Sequence, residues 1–525
     1  MKNFYLFLLD VLFVSAAVFA QTTHTDTEKI LVRATKDKME SLGIPSHDIV
    51  PGWQEITSAD SATLEKLKSS GVYIEPDYRA QLYYVSGNGA SPADASSSYY
   101  TWWITANNGL WHGNFEDAWR ITEGDHSVKV GIIDSGSPLN HGHWTHPGLD
   151  SSRFIVGPSF VSPVGGQTTV DSDFVNTDYL GHCTHIAGII GAVPKDSVRG
   201  IDQNCRIEIY KTFDMFGFGF YSWIADAIYR AVHDSCRILN MSFGGLFYSR
   251  LLEESILYAK NANVLCVVAA GNFGDEVQSF PAFFSKFTTT QGGLDNVISV
   301  GSIDPNGNIS LFSNRGYFVD VYAPGGSGVR RDWNIYSTWP TYYVMFDFPD
   351  TVGYTTGYGY MCGTSMAAPM VTGTAALMLA VNPKLTAGQI KNIILSTADS
   401  VMTTAGVVKI LNPGAAVRAA KDYNSTIAAV SGTPNPPKSF SLSQNYPNPF
   451  NPTTTIEFQI PERSFVKLSV FNTLGQEVKT LALGEMQAGT HKVFWDAKGY
   501  PSGVYFYRLQ IGNKVEETKK MVLMK

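Results

Sequence analysis

The sequence predicts an α/β protein built on a parallel sheet with helices on both faces, preceded by a small α+β module and followed by a small β-sandwich. Residues 128–134 and 264–268 are short, mostly apolar runs, as expected for strands buried on both faces of a parallel sheet. The helix predicted after Ser365 is apolar on nearly every face, which indicates that it lies inside the protein. From residue 441 onward, short alternating strands separated by glycine-containing turns indicate a separate sandwich.

Length, charge and cysteine content narrow the class of protein. With 525 residues, of which 44% are hydrophobic, the chain is long enough for more than one domain and a large core. The net charge of −7, without basic blocks, argues against a nucleic-acid partner. The five cysteines are an odd number, so at least one is unpaired within the chain and no disulfide framework is predicted. Cys266 lies in an apolar strand and is expected to be a buried free thiol.

The N-terminal residues 1–20 have the pattern of a signal peptide. Lys2 precedes an apolar stretch that ends in small residues up to Ala20, after which cleavage is expected. Asp10 within the apolar stretch is atypical, and an uncleaved anchor is the alternative. No other stretch is predicted to span a membrane.

Residues 21–98 are predicted to form a small module followed by a processing segment. Residues 29–34 are strand-like and residues 61–69 are helical, which indicates an α+β fold. The stretch 87–98 is rich in Gly, Ala and Ser and suits an exposed processing site. The main α/β domain is therefore expected to span residues 99–425.

Three segments of this domain carry residues suited to nucleophilic catalysis. Asp134 ends an apolar strand, at the edge where open α/β sheets bind ligands. His182 and His185 lie in a loop that enters a small, apolar helix. Ser365 begins the buried helix, where unpaired backbone N–H groups and the helix dipole favour a developing oxyanion. A serine hydroxyl becomes a good nucleophile when an imidazole removes its proton and a carboxylate orients the imidazole, so the three segments predict an Asp–His–Ser triad.

These segments resemble the motifs of the subtilisin-like serine peptidases, the subtilase family, in which the triad residues occur in this same order. Two further segments are similar to the family's substrate-binding strand and to the strand that carries its oxyanion-hole asparagine. The resemblance implies a subtilisin-like fold for the main domain. The matching segments are residues 134–136, 181–185, 238–245, 267–272 and 363–369.

The resemblance implies a role for each matching residue in a secreted serine endopeptidase that acts on proteins or peptides. Ser365 would attack the scissile carbonyl, His182 would act as general base and then acid, and Asp134 would orient His182. The Asn272 amide, with the backbone N–H of Ser365, would hold the oxyanion. The pocket for the side chain before the cut would accept a medium or large apolar group. Its predicted lining is Ser242, Phe243, Gly244, Ala269, Ala270 and Gly271.

Cys183 departs from the family pattern, which has glycine directly after the catalytic histidine. We hypothesise that Cys183 and Cys362 lie close enough to interact as a disulfide. If Cys183 instead crowds the site, the chain would be a catalytically inactive, peptide-binding surface protein. That pseudo-peptidase is the alternative to the active enzyme.

Two groups of residues are candidates for metal binding, although the reaction itself requires no cofactor. The first is a histidine-rich loop without the helical spacing of a zinc protease, so a surface loop is expected. The second is an acidic stretch that would either bind structural calcium or form a solvated loop. The histidines are His141, His143 and His146, and the acidic residues are Asp171, Asp173 and Asp178.

Three further features have structural interpretations. By the family resemblance, His185 is a structural histidine rather than the base. Asn240 precedes the substrate strand and is expected to be buried and hydrogen-bonded. The aromatic insertion at residues 330–360 is expected either to form a lid or to pack against the domain.

The C-terminal segment follows a proline-containing linker within residues 426–440. Its Asn-Pro-Phe-Asn-Pro entry (448–452) and its Gly-Val-Tyr-Phe-Tyr segment (503–507) resemble the C-terminal sorting domains of type IX secretion cargo. The resemblance covers residues 441–525 and implies that the export machinery is a partner, that the protein crosses the outer membrane, and that the domain is removed. An adhesive or carbohydrate-binding sandwich is the alternative.

Residues 21–98 are similar, through weaker motifs, to the inhibitory propeptides of subtilases. The resemblance implies that this segment keeps the enzyme silent until export and serves as a template for its folding. The propeptide is therefore a further expected partner, and the mature protein is expected to be secreted or held at the cell surface.

Overall fold

The computed structural model of the chain describes most of the sequence. The described residues are 29–57, 59–83, 103, 113, 115–140, 142–161, 175–194, 198–288, 292–330, 333–342, 344, 357–403, 406–429, 439–445, 447–462, 464–486, 489–497, 499–512 and 514–524. The predicted signal peptide (1–20) and the predicted processing segment (87–98) lie outside these ranges.

The first described segment is a compact α+β module followed by one further strand. Its elements are β1 (Lys29–Arg33), α1 (Lys36–Ser41), β2 (His47–Val50), β3 (Trp53–Thr57), α2 (Ser61–Ser69), β4 (Tyr73–Pro76) and β5 (Arg79–Leu82). The first four strands form an antiparallel sheet in the order β2-β3-β1-β4. Thr35 and Asp60 cap the two helices by accepting backbone N–H bonds. The strand predicted at 29–34 and the helix predicted at 61–69 are confirmed.

The main domain alternates strands and helices from residue 115 to residue 429. In chain order these are α3 (Phe115–Trp119), β6 (Lys129–Asp134), β7 (Leu139–Asn140), β8 (His143–Trp144), β9 (Phe154–Ser159), α4 (His182–Gly191), β10 (Arg206–Lys211), β11 (Phe218–Phe220), α5 (Tyr221–His233), β12 (Ile238–Met241), β13 (Phe243–Gly244), α6 (Arg250–Asn261), β14 (Leu265–Ala269), a short 3-10 helix (Ala282–Ser285), β15 (Val297–Ile303), β16 (Val321–Pro324), β17 (Ile335–Thr338), β18 (Tyr358–Met361), α7 (Thr364–Val381), α8 (Ala387–Thr397), β19 (Asp399–Thr403), β20 (Gly406–Ile410) and α9 (Pro413–Ala429). The last helix extends to residue 429, within the stretch predicted as a linker.

The core of the domain is a nine-stranded sheet in the order β19-β20-β16-β15-β14-β12-β6-β10-β9. Its strands are parallel except for β19, which pairs antiparallel with β20 at one edge. Strands β6, β12 and β14 are neighbours, so their carboxyl ends lie together. That edge is where an open α/β sheet gathers a functional site. The predicted α/β fold with a parallel sheet is confirmed.

The apolar segment that follows Ser365 forms helix α7, which is buried in the domain. It packs against β12, β14 and β15 and against α4, so helix and sheet enclose it. By length and composition it could cross a membrane, but 89% of it is buried inside the domain. It is therefore the core helix that the sequence predicts, and it packs against the helix that carries His182.

Strand β5 leaves the N-terminal module and joins the main domain. It forms the middle strand of a three-stranded sheet, antiparallel to β11 on one side and to β13 on the other. The central position matters because an extended chain here makes backbone hydrogen bonds along both of its edges.

The C-terminal strands form a separate compact unit. They are β21 (Ser441–Leu442), β22 (Thr453–Ile460), β23 (Ser464–Phe471), β24 (Glu477–Met486), β25 (Gly489–Asp496), β26 (Gly503–Ile511) and β27 (Lys514–Leu523). They build two antiparallel sheets, β21-β22-β25 and β24-β23-β26-β27, whose apolar faces share one core that includes Phe458, Leu468 and Trp495. This is the β-sandwich that the alternating pattern predicts.

Candidate active site

Asp134 and His182 meet at the carboxyl end of the parallel sheet. Strand β6 ends at Asp134 and helix α4 begins at His182. The two atoms Asp134 Oδ1 and His182 Nδ1 lie 2.8 Å apart, and both side chains are almost completely buried. Because an ionised carboxylate only accepts hydrogen bonds, the imidazole proton lies on Nδ1, and Nε2 is the basic nitrogen of the neutral ring.

A second buried carboxylate, Asp178, organises the start of the helix that carries His182. Asp178 accepts hydrogen bonds of 2.7 to 3.2 Å from the backbone N–H groups of Leu180, Gly181 and Thr184 and from the Thr184 hydroxyl. A negative charge at a helix N-terminus is stabilised by the free N–H groups and by the helix dipole. Both predictions for Asp178, a calcium ligand or a solvated residue, are wrong because its oxygens are buried and already accept protein donors.

Ser135 connects the two carboxylates. Its hydroxyl oxygen lies 3.0 Å from Asp134 Oδ1 and 2.8 Å from Asp178 Oδ1. Beneath it, the buried Lys211 Nζ donates to the carbonyl oxygens of Ser135 and Thr177 at 2.5 and 2.8 Å. Burial lowers the pKa of Lys211 to about 8, and the nearby Asp178 carboxylate opposes that shift. This buried network fixes the strand end and the helix start relative to each other.

Ser365 is the second residue of α7, and its side chain is buried. Its Oγ donates to the carbonyl oxygen of Ser242 at 2.9 Å, and the Ser242 hydroxyl donates to the carbonyl oxygen of Ser365 at 2.9 Å. Asn240 is the buried, hydrogen-bonded asparagine that the sequence predicts, since it donates to Ser242 Oγ and accepts from Thr372 Oγ1. These contacts hold the Ser365 hydroxyl against the end of β12.

Asn272 directs an amide N–H into the same region. Its Oδ1 accepts from both the backbone N–H and the hydroxyl of Thr364, each at 2.9 Å. A backbone N–H can only donate, so this contact assigns the amide oxygen and turns Nδ2 the other way. Nδ2 is buried and has no hydrogen-bond partner among the described residues. A buried donor without a partner, next to the start of α7, is suited to an oxyanion.

The residues predicted to wall a substrate pocket lie beside these groups. Ser242 directly precedes β13 and Gly244 ends it, and Gly244 faces the Tyr83 ring so closely that a Cβ atom at residue 244 would lie 2.6 Å from that ring. The Phe243 side chain instead packs in the hydrophobic core, with its ring centroid 5.0 Å from that of Phe213. Phe243 therefore contributes its backbone, and not its side chain, to this region. The small residues predicted for the other wall, Ala269, Ala270 and Gly271, are buried at the end of β14, directly before Asn272.

Other histidines have structural roles. His185 is completely buried and donates through Nε2 to the carbonyl oxygen of Ile335 at 3.0 Å, and burial lowers its pKa to about 3. His146 is buried and bonded to Gly357 and Gly148. His143 is exposed on β8, and His141 lies outside the described residues.

The possibility of a metal site is addressed by the grouping of ligand side chains. Within the described ranges, no three His, Cys, Asp or Glu residues come together in a group that could hold a metal ion. Asp171 and Asp173, the remaining members of the acidic stretch, lie outside those ranges.

The hypothesis of a disulfide between Cys183 and Cys362 is wrong. All five cysteines lie in described segments, are buried and form no disulfide with one another. The Cys183 thiol lies near Asp134, Asp178 and the backbone of Gly136, whereas Cys362 packs against the loop at residues 326–328. Burial raises the pKa of Cys183 well above its usual value, so the thiol is a neutral neighbour of the carboxylates. Cys266 is the buried free thiol that the sequence predicts.

The described part of the insertion at residues 330–360 packs against α4. Strands β17 and β18 form its hairpin, and Ser337 and Thr338 donate to the carbonyl oxygens of His185 and Thr184. Tyr342 donates to the carbonyl oxygen of Asp178 at 3.0 Å. These contacts favour the packing interpretation over the lid for the described residues, because they fasten the hairpin to the helix that bears His182.

Sequence reasoning missed several residues of the site. Thr364 and Ser135 lie within the segments that match the family, but their residue types alone indicate no role in the site. Asp178 could have been found as a helix cap, because it lies four residues before His182. Tyr83 follows a strand that the sequence analysis did not predict.

Comparisons with known proteins give the context of this geometry. A family model described as "Subtilase family" matches residues 125–428, and one described as "Secretion system C-terminal sorting domain" matches residues 444–524. The chain is 33% identical over 274 residues to subtilisin DY of Bacillus licheniformis, covering 52% of this chain and 84% of that protein. It is 33% identical over 291 residues to a thermophilic serine proteinase of Bacillus sp. (strain AK1), covering 55% of this chain and 60% of that protein, which is less than two thirds of its length. A solved structure of a protease from Pseudoalteromonas arctica PAMC 21717 has a TM-score of 0.51 at 27% identity, with coverage of 61% and 97%.

Proposed function

We propose that this chain, which belongs to the subtilase family, is a serine endopeptidase that hydrolyses peptide bonds through a triad of Ser365, His182 and Asp134. The observation that carries the proposal is the buried 2.8 Å hydrogen bond between Asp134 and His182 at the carboxyl end of the sheet. The packing of α4 on α7 supports Ser365 as the third member, because His182 is the first residue of α4 and Ser365 is the second residue of α7.

In the proposed reaction Ser365 attacks the scissile carbonyl. Its hydroxyl must first leave the carbonyl oxygen of Ser242, to which it donates when no reaction is under way. His182 Nε2 then accepts the proton and later passes it to the leaving amine. Asp134 keeps the other imidazole proton on Nδ1 and stabilises the imidazolium that forms. No cofactor takes part in these steps.

We propose that Asn272 and the backbone N–H of Ser365 hold the oxyanion. The buried Asn272 Nδ2, which has no partner within the described ranges, supports this role. Thr364 fixes the other end of the amide through two hydrogen bonds, so the donor is oriented before substrate arrives. A preoriented donor stabilises developing charge without reorganising in the transition state.

We propose that substrates bind as extended strands beside β13. Ser242 and Gly244 offer backbone groups to such a strand, and small residues at 269–271 leave room for a side chain beneath it. Protein and peptide chains are the substrates that a strand-pairing groove of this kind accepts.

We propose that the N-terminal module is an inhibitory propeptide that binds the enzyme's own groove. Its strand β5 fills the gap between β11 and β13. Glu75 accepts from the backbone N–H groups of Arg250 and Leu251 at the start of α6, and Asp77 accepts from the N–H and hydroxyl of Ser222 at the start of α5. Two helices of the enzyme thus receive N-terminal caps from the module, which supports a role in folding as well as inhibition.

The C-terminal sorting domain indicates export by the type IX secretion machinery. We propose that residues 1–20 are the signal peptide for passage across the inner membrane, and that the sorting domain then directs passage across the outer membrane. The enzyme would be released or attached at the surface after that domain is removed. The relatives named above are proteases, which favours an active enzyme over the inactive peptide-binding alternative.

The proposal is tested by hydrolysis of an unfolded protein substrate. The purified full chain, allowed to mature, is compared with Ser365→Ala, His182→Ala and the exposed control Ser400→Ala. We expect the first two variants to lose activity by a factor of about 10⁴ or more and the control to retain it. Equal activity in the Ser365→Ala variant would reject Ser365 as the nucleophile, and inactivity of the folded parent would favour the pseudo-peptidase.

A further inference from the structure

We infer that the first bond cut in this chain is the one on the carboxyl side of Tyr83, by the chain's own Ser365. The inference rests on the proposed function and adds the position of the maturation cut. The Gly-, Ala- and Ser-rich stretch at 87–98, which the sequence analysis favoured as the processing site, would then be trimmed later or not at all.

The first support is the register of β5. Leu82 stands opposite Phe243, and Gln81 stands opposite both Gly244 and Phe218. The backbone N–H of Leu82 donates to the carbonyl oxygen of Gly217 at 3.2 Å. The strand therefore enters the groove in a single antiparallel register, which decides the residue that reaches the site.

The second support is the placement of the Tyr83 side chain. Tyr83 is 5% exposed, although it follows a surface-bound strand and carries a polar hydroxyl. Its ring lies against the bare backbone of Gly244 and makes an edge contact with Phe273, at a centroid distance of 6.0 Å. The ring therefore lies between β13 and Phe273, the residue that directly follows the proposed oxyanion donor Asn272.

The third support is a shared acceptor. The backbone N–H of Tyr83 donates to the carbonyl oxygen of Ser242 at 3.2 Å, and the Ser365 hydroxyl donates to the same oxygen at 2.9 Å. The carbonyl carbon of a residue is two bonds from its own nitrogen. Because both groups donate to one oxygen, the Tyr83 backbone and its carbonyl lie beside the Ser365 hydroxyl.

The chemistry is acyl transfer followed by hydrolysis. Ser365 Oγ forms a bond to the Tyr83 carbonyl carbon, and the C–N bond to residue 84 breaks. The proton of Ser365 passes through His182 to the leaving amine, which becomes the new N-terminus. Water then releases the Tyr83 carboxylate and restores Ser365, so no oxidant or other co-reactant is needed.

The cut module would stay bound after this reaction. Glu75 and Asp77 still cap the two enzyme helices, and Glu254 of the enzyme still accepts from Trp53 and Arg33 of the module. Attack within one chain also removes the entropic penalty of bringing two molecules together. The rate of the first cut should therefore not depend on protein concentration.

The test follows processing of the purified full chain over time, with intact mass spectrometry and N-terminal sequencing of the earliest products. We expect a first fragment that ends at Tyr83 and a partner that begins at residue 84, formed at a rate independent of dilution. Ser365→Ala should remain uncut. An earliest fragment that ends anywhere within residues 84–98 would overturn the inference, and this comparison needs no substitution at Tyr83.

A matched pair of variants sharpens the test, because the chain carries Tyr-Tyr both at 83–84 and at 99–100. Tyr83→Asp should slow the first cut by roughly 10²-fold, since it places a charge in an apolar site, whereas Tyr83→Phe and Tyr99→Asp should leave it unchanged. Casein hydrolysis by the matured parent separates the two failures. If the matured parent hydrolyses casein but Tyr83→Asp does not slow the first cut, only the inference is overturned. If the parent is inactive, the proposed function is overturned as well.

Discussion

The two sides of Ser365, the proposed catalytic serine, are built in opposite ways. On the side of the base, Asp134 and Asp178 accept many hydrogen bonds, and Ser135 links them into one buried network. On the side of the oxyanion, Thr364 holds Asn272 at its oxygen alone, and the amide nitrogen has no partner in the described part of the chain.

This difference matches the task of each side. The base must have one tautomer and one orientation before reaction, so Asp134 Oδ1 holds the imidazole at Nδ1 in advance. The oxyanion donor must stay unsatisfied until negative charge develops, because a donor already bonded to protein would have to break that bond first. Substitutions on the two sides should therefore fail in different ways.

The largest effect should come from the base side. Asp134→Asn replaces an acceptor by an amide whose N–H can face His182, which would favour the wrong imidazole tautomer. We expect kcat to fall by about 10⁴, the loss seen when the aspartate of a serine triad becomes asparagine. Steady-state kinetics on a peptide substrate measures it, and a fall of less than tenfold would show that Asp134 does not control the tautomer.

The oxyanion side should respond less strongly and in kcat alone. Asn272→Ala removes the proposed side-chain donor, and we expect a loss of about 10²–10³ in kcat, as for the oxyanion-hole asparagine of subtilisin. KM should change little, because the donor acts on the transition state and not on the bound substrate. A variant whose defect lies mainly in KM would assign Asn272 to ground-state binding.

The base side also contains a histidine that should be silent in catalysis but visible in stability. Burial lowers the pKa of His185 to about 3, against about 6.5 in an unfolded chain. Below pH 6.5 the unfolded chain binds a proton that the folded chain does not, so stability falls as the pH falls. From pH 7.5 to 5.5 this contribution is about 1.4 kcal/mol, or a factor of about ten.

Urea unfolding of the Ser365→Ala chain, with and without His185→Gln, isolates that contribution. The difference between the two is needed because burial raises the pKa of Asp77 and of Asp202 to about 7, and these groups act in the opposite direction. Parallel pH dependence in the two chains would mean that His185 titrates normally.

The smallest effect should come from the residue that orients the oxyanion donor. Thr364→Val removes the hydroxyl that donates to Asn272 Oδ1, while the backbone N–H of residue 364 still holds the amide. One hydrogen bond of this kind corresponds to about a fivefold loss in kcat. In an Asn272→Ala background the same change should cost less than in the parent, since only the bond from the Gly271 N–H to the Thr364 hydroxyl is then lost. Fully additive losses would show that Thr364 does not act through Asn272.

The sequence predicts the fold and the positions of the reacting groups because local motifs carry both. The apolar strand ending at Asp134 and the buried helix starting near Ser365 follow from their own residue patterns. The contacts between distant segments do not follow from these local patterns. The Ser365 hydroxyl bonds to Ser242, and Asp178 accepts donors from the start of α4, because distant strands and loops meet at one sheet edge.

The same limit explains the wrong disulfide. Cys183 and Cys362 each lie near a proposed catalytic residue in sequence, but the Cys183 thiol lies near two carboxylates, whereas Cys362 packs against the loop at residues 326–328. The position of Tyr83 could not be predicted from the sequence for a similar reason. Strand β5 forms by pairing with β11 and β13, which are distant in the chain.

The most direct test of the central claim is labelling of the matured protein with a fluorophosphonate probe, followed by mapping of the modified peptide. The account predicts a covalent adduct on Ser365 and no adduct in Ser365→Ala, because only a serine activated by His182 reacts at an appreciable rate. Absence of labelling in folded protein freed of its N-terminal module would contradict the account.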